Sequence, residues 1–291
     1  MRVVHFWVVG GDRRQARLAA LLAEDGHRVH TYALEQAEET EGTVLRAESM
    51  EKMGLADCVI LPLPAVGEDG MLHAPLSEKR IAVNEVLDAM RPGQLVAGGR
   101  LDENTVLAAR ARGLLWRDYF EREELTVANA IPTAEGAIQI AMENLPITLH
   151  GCRTLVIGYG RIGRILAARL RGLGAFVTVA ARRYEQLTWA EAEGCTAQRL
   201  AEMGGWLCGY DLVVNTVPAQ LLGEEQLADL NPACLVIDVA SKPGGVDLQA
   251  AQRLGVKVIW ALSLPGKVAP VTAARAIRQS IYHILQEVEI G

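Results

Sequence analysis

The chain has 291 residues, a formal net charge of −6 and 50% apolar residues. That length suits two domains, each able to bury its own core. The acidic balance argues against nucleic acid or an anionic membrane as a main partner, and no apolar run approaches a membrane span. The start, MRVVHFWVVGGD, reads as a strand and a glycine turn rather than a signal peptide.

Residues 3–9 form a β-rich run ending in Gly10-Gly11-Asp12, residues 15–23 continue as an amphipathic helix, and 29–32 are the next strand. This is a βαβ unit with an incomplete glycine pattern, since Arg13 and Arg14 open the helix where a nucleotide site has small residues. The two arginines are either exposed charges on a structural turn or, with the free N–H groups of the helix start, a holder for a carboxylate. Further strands are expected at 57–63, 94–97 and 114–116, with helices at 78–90 and 104–112 between them. Short apolar strands alternating with helices describe an open parallel sheet of doubly wound type, here a flavodoxin- or Rossmann-like substrate domain over residues 1–130. The third strand leaves Leu61-Pro62-Leu63-Pro64-Ala65 at its carboxyl end, where such folds bind ligands.

Residues 129–136 read Asn-Ala-Ile-Pro-Thr-Ala-Glu-Gly. Thr133 has the chemistry of an N-cap, with 134–144 as the linker helix it starts and Glu135 early enough to favour the helix dipole. A connecting helix here places Thr133 and Glu135 beside a substrate in the interdomain cleft; simple capping is the other reading.

The second segment, 131–291, is built on residues 154–183. An apolar strand at 154–157 ends in Gly158-Tyr159-Gly160-Arg161-Ile162-Gly163, a helix follows over 164–173, and a second strand over 176–180. Strand, glycine turn, helix, strand is the order of a dinucleotide-binding unit: Gly158 permits the tight turn, Gly160 lets a pyrophosphate approach the backbone, and Gly163 lets helix and strand pack closely. An NAD-preferring unit ends its second strand in an acid that holds the ribose hydroxyls. Ala181 stands there instead, followed by Arg182 and Arg183, which are either solvated loop charges or a fork-shaped pair of holders for a 2′-phosphate. NADP is expected ahead of NAD.

Strands at 210–217, 235–239 and 256–260 leave three polar loops on the edge that carries the glycine turn. They are Asn215-Thr216-Val217-Pro218, Ala240-Ser241-Lys242-Pro243-Gly244-Gly245 and Leu264-Pro265-Gly266-Lys267, and they converge where a nicotinamide would lie. Residues 272–288 close the chain as an amphipathic helix able to pack back on the first domain.

Little else carries chemistry. The five cysteines, Cys58, Cys152, Cys195, Cys208 and Cys234, are scattered without a CxxC pair, which indicates neither a disulfide framework nor a zinc site and suits a reducing cytoplasm. The six histidines have no telling neighbours, and no metal cluster or GxSxG turn is present. A 2-hydroxyacid dehydrogenase would place a His after the last strand of its nucleotide domain, where this chain has Gly266-Lys267. Lys242 and Lys267 are either solvated loop lysines or, facing Arg13 and Arg14, the cationic holders of a small dicarboxylate.

In this order, the blocks GGDRRQ (10–15), IPTAEG (131–136), GYGRIG (158–163), NTVP (215–218), SKPGG with Asp247, and LPGKVAP (264–270) resemble the A subunits of dipicolinate synthase along nearly the whole chain. The resemblance implies NADP-dependent oxidation of dihydrodipicolinate, formed from a hydroxylated tetrahydrodipicolinate, to dipicolinate. It also implies a partner, the flavoprotein-like B subunit, with action in the mother-cell cytoplasm during sporulation. On that layout Arg13, Arg14, Thr133, Lys242 and Lys267 hold the substrate. Glu135 is the expected base, with Lys242 or a water as its rivals. One departure is Leu63, where the family pattern has a Ser or Thr after the first proline of the 61–65 loop. A dehydrogenase of alanine or 2-hydroxyacid type, and a non-catalytic NADP-binding scaffold for a flavoprotein, are the alternative functions. The oligomeric state is left open, a homo-oligomer included.

Overall fold

The structure is a computed structural model that describes residues 2–38, 44–67 and 69–288. The chain divides into two compact units, residues 1–129 with 269–291, and residues 130–268.

The first unit alternates β1 (His5–Val9), α1 (Arg13–Glu24), β2 (Arg28–Tyr32), β3 (Leu45–Arg46), β4 (Cys58–Ile60), α2 (Val83–Asp88), β5 (Leu95–Gly98), α3 (Glu103–Ala111) and β6 (Leu115–Asp118). The helix α4 (Glu123–Asn144) then runs across the division between the units. In the second unit follow β7 (Arg153–Ile157), α5 (Arg161–Gly172), β8 (Phe176–Ala181), α6 (Tyr184–Ala192), β9 (Thr196–Arg199) and β10 (Leu212–Asn215). The unit is completed by α7 (Glu224–Ala228), β11 (Leu235–Asp238), α8 (Leu248–Leu254), β12 (Lys257–Trp260) and the short α9 (Leu264–Val268). The last helix, α10 (Pro270–Glu287), belongs to the first unit.

Each unit holds one six-stranded sheet, in the orders β3-β2-β1-β4-β5-β6 and β12-β11-β10-β7-β8-β9. Every pairing within them is parallel, as in β1 against β2 and β7 against β10. Both are doubly wound, with the strand order reversing beside the first strand, where such sheets open a crevice at their carboxyl ends. The central strands are apolar on both faces because both faces are covered. In β1, Phe6 and Val8 join the core that includes α1 and α10 residues, whereas Trp7 and Val9 join the core on the other side with Val86 and Leu87 of α2. In β7, Val156 meets Ala134, Ala137 and Ala141 of α4, while Leu155 and Ile157 meet Leu227 of α7 and Ala250 of α8.

Several elements differ from the sequence expectation. The helix expected at 78–90 is confined to Val83–Asp88, because Glu85 turns back to accept the Ala82 N–H at 2.8 Å and so closes the helix start there. Two strands without an alternating pattern, β3 and β9, lie at the sheet edges and were not expected. The helix expected to begin at Thr133 instead starts at Glu123 and continues through Pro132, so Thr133 is an interior residue and not a cap. A proline within a helix removes one donor and crowds the preceding turn. Here apolar burial of Leu125, Ala130, Ala134, Ala137 and Ala141 along the helix outweighs that cost. The last helix, for which packing back on the first domain is one expectation, inserts Ala274, Ile277, Ile281 and Ile284 into the core of the first unit beside Leu18 and Leu22 of α1.

Candidate dinucleotide and substrate site

In the second unit the carboxyl ends of the strands form one register line. Ile157 pairs with Ala180 on one side and Asn215 on the other, Asn215 with Asp238, and Asp238 with Trp260. The glycine turn and the three polar loops therefore leave the same edge of the sheet.

The three glycines of the turn have different physical reasons to be glycine. Gly158 has φ +94°, and an added Cβ would lie 2.5 Å from the Thr216 hydroxyl. At Gly163, within the first turn of α5, a Cβ would run into the Gly158 carbonyl oxygen. Both are therefore required by the protein's own packing. At Gly160 the backbone (φ −88°, ψ −159°) is open to any residue, and a Cβ would find nothing within 4 Å. Gly160 caps α5 without a side chain, so the first N–H groups of that 12-residue helix face the open space above the residue. A bare helix start with room for closely approaching atoms fits a pyrophosphate. Arg161 and Ile162 open the helix, the former exposed. Tyr159 departs from its expected role as a contact. Its ring is buried in the core, its hydroxyl donates to Glu193 at 2.6 Å, and burial and that bond push the phenol pKa up. Only its backbone remains for a ligand.

The second strand, β8, ends at the buried Ala181, followed by the exposed Arg182 and Arg183. Among the described residues, neither of these arginines is in a salt bridge.

The loops after β10 and β11 are fastened to one another by two buried polar residues. Asp238 is 1% exposed, and its Oδ1 accepts Asn215 Nδ2 at 2.8 Å and the Ala240 N–H at 3.0 Å. Its Oδ2 accepts the Gly245 N–H at 2.7 Å. Asn215 closes its own loop by donating to the Val217 carbonyl at 3.0 Å and accepting the Val217 N–H at 3.1 Å. Trp260 Nε1 donates to the Ala240 carbonyl at 3.0 Å, and the Gly244 N–H to that of Ser241 at 2.9 Å. The 240–245 loop is thus a tight turn held at both ends, with exposed Lys242 at its tip. Thr216 bonds the Ile157 carbonyl at 2.9 Å and covers the glycine turn; Val217 is half-buried and Pro218 exposed. Lys267 is exposed in the last turn of α9, which lies against α4 where a Gly136 Cβ would stand 3.1 Å from Leu264 Cδ2. Asp238 escapes motif reading; an acid ending the otherwise apolar run LVID is the signal that could have found it.

Glu135 requires a correction. Two residues apart on a helix means a turn of about 200°, so Glu135 and the buried Thr133 project from opposite sides of α4 and cannot both address one substrate. The Glu135 carboxylate is 3.6 Å from Arg169 Nε and lines a surface groove with Ile138, Gln139, Met142 and Glu143. Arg169 stands eight residues beyond Arg161, about 12 Å along α5 from its start. That geometry places Glu135 in a surface ion pair, on the side of α4 opposite Thr133.

Arg14 is corrected as well. Its guanidinium is buried, binds Asp12 through Nε at 3.0 Å and Nη2 at 2.8 Å, and donates from Nη2 to the Leu63 carbonyl at 2.6 Å. The Asp12 side chain also caps α1 through the Arg14 N–H, and the Gly11 N–H is taken by the His73 carbonyl. The glycine turn of the first unit is closed by its own acid, unlike the open turn at Gly160. Next to it, Gln15 Nε2 donates to Tyr119 at 2.8 Å and to the Leu61 carbonyl at 3.2 Å. The GGDRRQ block thereby anchors the 61–65 loop. Leu63, which stands in place of a hydroxyl residue, is buried in the core there. Arg13 stays at the exposed start of α1.

Among the described residues no group of three or more His, Cys, Asp or Glu is placed to hold a metal ion, and no described helix is long and apolar enough to cross a membrane.

Residues 5–120 match the family model of the N-terminal domain of dipicolinate synthase A subunits. Residues 132–250 match the NAD-binding domain of D-isomer-specific 2-hydroxyacid dehydrogenases. The A subunit of dipicolinate synthase from Bacillus subtilis is 29% identical over 285 residues, 97% of this chain and 96% of that one. The crystal structure of that B. subtilis protein superposes with a TM-score of 0.88 at 27% identity, covering 99% of this chain and 98% of that one. The A subunit from Bacillus halodurans gives 0.88 at 28% identity, covering 97% of each. The chain is thus similar over nearly its whole length to dipicolinate synthase A subunits, with a dehydrogenase-type NAD-binding domain in its second unit.

Proposed function

We propose that the chain is an NADP-dependent dehydrogenase that oxidises dihydrodipicolinate, formed from 4-hydroxy-tetrahydrodipicolinate, to dipicolinate. The reading extends to a partner, the flavoprotein-like B subunit, with the mother-cell cytoplasm of a sporulating bacterium as the setting. The observation that carries it is the clamped 240–245 loop, which presents Lys242 on the same sheet edge as the open Gly160 turn.

The residues divide the work as follows. The α5 start, with the backbone of 158–163, holds the pyrophosphate, and Arg182 and Arg183 take the 2′-phosphate. The loop 215–218 flanks the dinucleotide. The bound nicotinamide supplies a two-electron acceptor for hydride. Lys242 and Lys267 each offer an ammonium to a substrate carboxylate. Oxidation of the dihydropyridine removes one hydride and one proton, and the proton passes to water. Because the product is aromatic the step is downhill, so the protein's contribution is orientation and charge placement.

The test is purified chain with NADP+ or NAD+ and freshly generated precursor, followed by the ultraviolet absorbance of the pyridine product, with and without the B subunit. Product formed by this chain alone excludes a non-catalytic scaffold. Dinucleotide reduction with alanine or a 2-hydroxyacid but not with the precursor would overturn the substrate assignment.

A further inference from the structure

We propose that Arg199 is the third guanidinium of a 2′-phosphate site whose other members are Arg182 and Arg183, an inference that rests on the NADP reading. The parallel register of β8 and β9 pairs Ala181 with Arg199, so Arg199 stands one strand spacing, about 4.8 Å, from the position where an NAD-preferring unit carries its acid. An acid at 181 would pair with Arg199 and accept ribose hydroxyls. Alanine there, 2% exposed, offers neither.

The Arg199 guanidinium is already oriented. Its Cζ lies 5.1 Å from the centroid of the Tyr184 ring, and Tyr184 opens α6 immediately after Arg182 and Arg183. The ring thus ties the end of β9 to the segment bearing the other two arginines. A cation held on a ring face keeps its in-plane N–H groups free for oxygen acceptors. Arg199 Nη1 faces Glu202 Oε1 at 3.6 Å, with the arginine side chain 44% and the carboxylate 57% exposed. That separation is beyond a direct hydrogen bond, and a pair so exposed is weakly held. A phosphate dianion with three acceptor oxygens competes well for such a cation. Glu202 is therefore the counter-ion that a 2′-phosphate displaces, and a hydroxyl in its place would leave the Arg199–Glu202 pair intact.

The experiment is calorimetric titration of the full chain with NADP+ and with NAD+, for the wild type, Arg199→Ala, Arg199→Lys and Glu202→Gln. Arg199→Ala should weaken NADP+ about tenfold or more, the loss of a charge-assisted bond, and change NAD+ less than about twofold. Arg199→Lys keeps the charge without the fork and should fall between. Glu202→Gln should tighten NADP+ alone. A wild type that binds NAD+ more tightly than NADP+ overturns the NADP reading itself. A wild type that prefers NADP+, with the preference unchanged in Arg199→Ala and Glu202→Gln, overturns only the role of Arg199. Should Arg199→Ala melt below the titration temperature, the Lys and Gln variants decide by the same criterion.

Discussion

Asn215 Nδ2 donates to Asp238 Oδ1 at 2.8 Å, both residues being buried at paired positions on neighbouring strands. Through this one bond the 215–218 and 240–245 loops are positioned as a single assembly. The carboxylate also takes the Ala240 and Gly245 N–H groups, so it accepts from the bases of both loops. Asp238→Asn places an NH2 group where only an acceptor fits. It should cost about 1.5–3 kcal/mol of stability, read as a lower urea midpoint. With the loop loosened, the KM for the substrate should rise more than kcat falls, because Asp238 acts on Lys242 by position.

The glycine turn separates packing from ligand binding at two residues of one motif. Gly163→Ala drives a methyl into the Gly158 carbonyl, an overpacking that should cost about 1–3 kcal/mol. Gly160→Ala meets nothing and needs no unusual backbone, so its stability should stay within about 0.5 kcal/mol of wild type. The methyl would still occupy the space into which the α5 N–H groups point. Gly160→Ala should therefore keep the thermal midpoint and lose dinucleotide affinity, while Gly163→Ala loses both. Equal affinity of Gly160→Ala and wild type for NADP+ would remove the pyrophosphate from this turn.

What the sequence made legible were features written locally. The turn at 158–163, the apolar doubly covered strands and the loops that end them all follow from short-range pattern, and both sheets are of the expected doubly wound type. What escaped depends on distant partners. The Arg14 charge is spent on Asp12 and the Leu63 carbonyl, and nothing in the string GGDRR says so. The continuation of α4 through Pro132 is won by tertiary burial against a local signal to stop. The amphipathic pattern of α10 leaves open a return to the first domain but does not name its partners: Ile277 and Ile281 meet a core built from the opposite end of the chain, Phe6, Leu18 and Leu22 among it. Glu135 is misplaced by any reading that makes Thr133 a helix cap; one continuous helix puts the two on opposite sides.

Glu135→Gln tests that correction. The side chain's ion partner, Arg169, is on the middle of α5, and both groups are substantially exposed. Exposed pairs contribute about 0–1 kcal/mol, and the carboxylate touches none of the loops at the sheet edge. The variant should retain kcat and substrate KM within about twofold, with a stability change inside about 0.5 kcal/mol. A loss of turnover by a factor of about a hundred, typical for removing a general base, with unchanged folding would restore Glu135 to the reaction.

The stability of the first unit should fall in mild acid because of paired histidines on β1 and β2. His5 Nδ1 lies 3.2 Å from the Leu55 carbonyl, which can only accept, so that nitrogen carries the hydrogen. In neutral His5 the Nε2 is then an acceptor, and His30 Nδ1, 2.9 Å away, must be the donor. His30 also stacks on Trp7 with ring centroids 5.1 Å apart. Protonating His5 would set two N–H groups against each other. Burial is the main force holding both histidines below their ordinary value of 6.5. Arg28 depresses both as well, and Lys52 acts in the same direction on His30; at His5 the Leu55 carbonyl and Asp57 oppose the shift. His27, packed against Phe6 and Tyr282, is lowered by burial too. Since the folded pKa values are depressed, the unfolded chain binds more protons near pH 6. The contribution is therefore complete above about pH 6.5, declines as pH falls through the folded-state values, and is fully lost below them. Urea midpoints measured at pH 7.5 and pH 5.5 should differ in that sense for the wild type and differ less for His30→Gln. The same pH dependence in both proteins would show that this pair does not carry it.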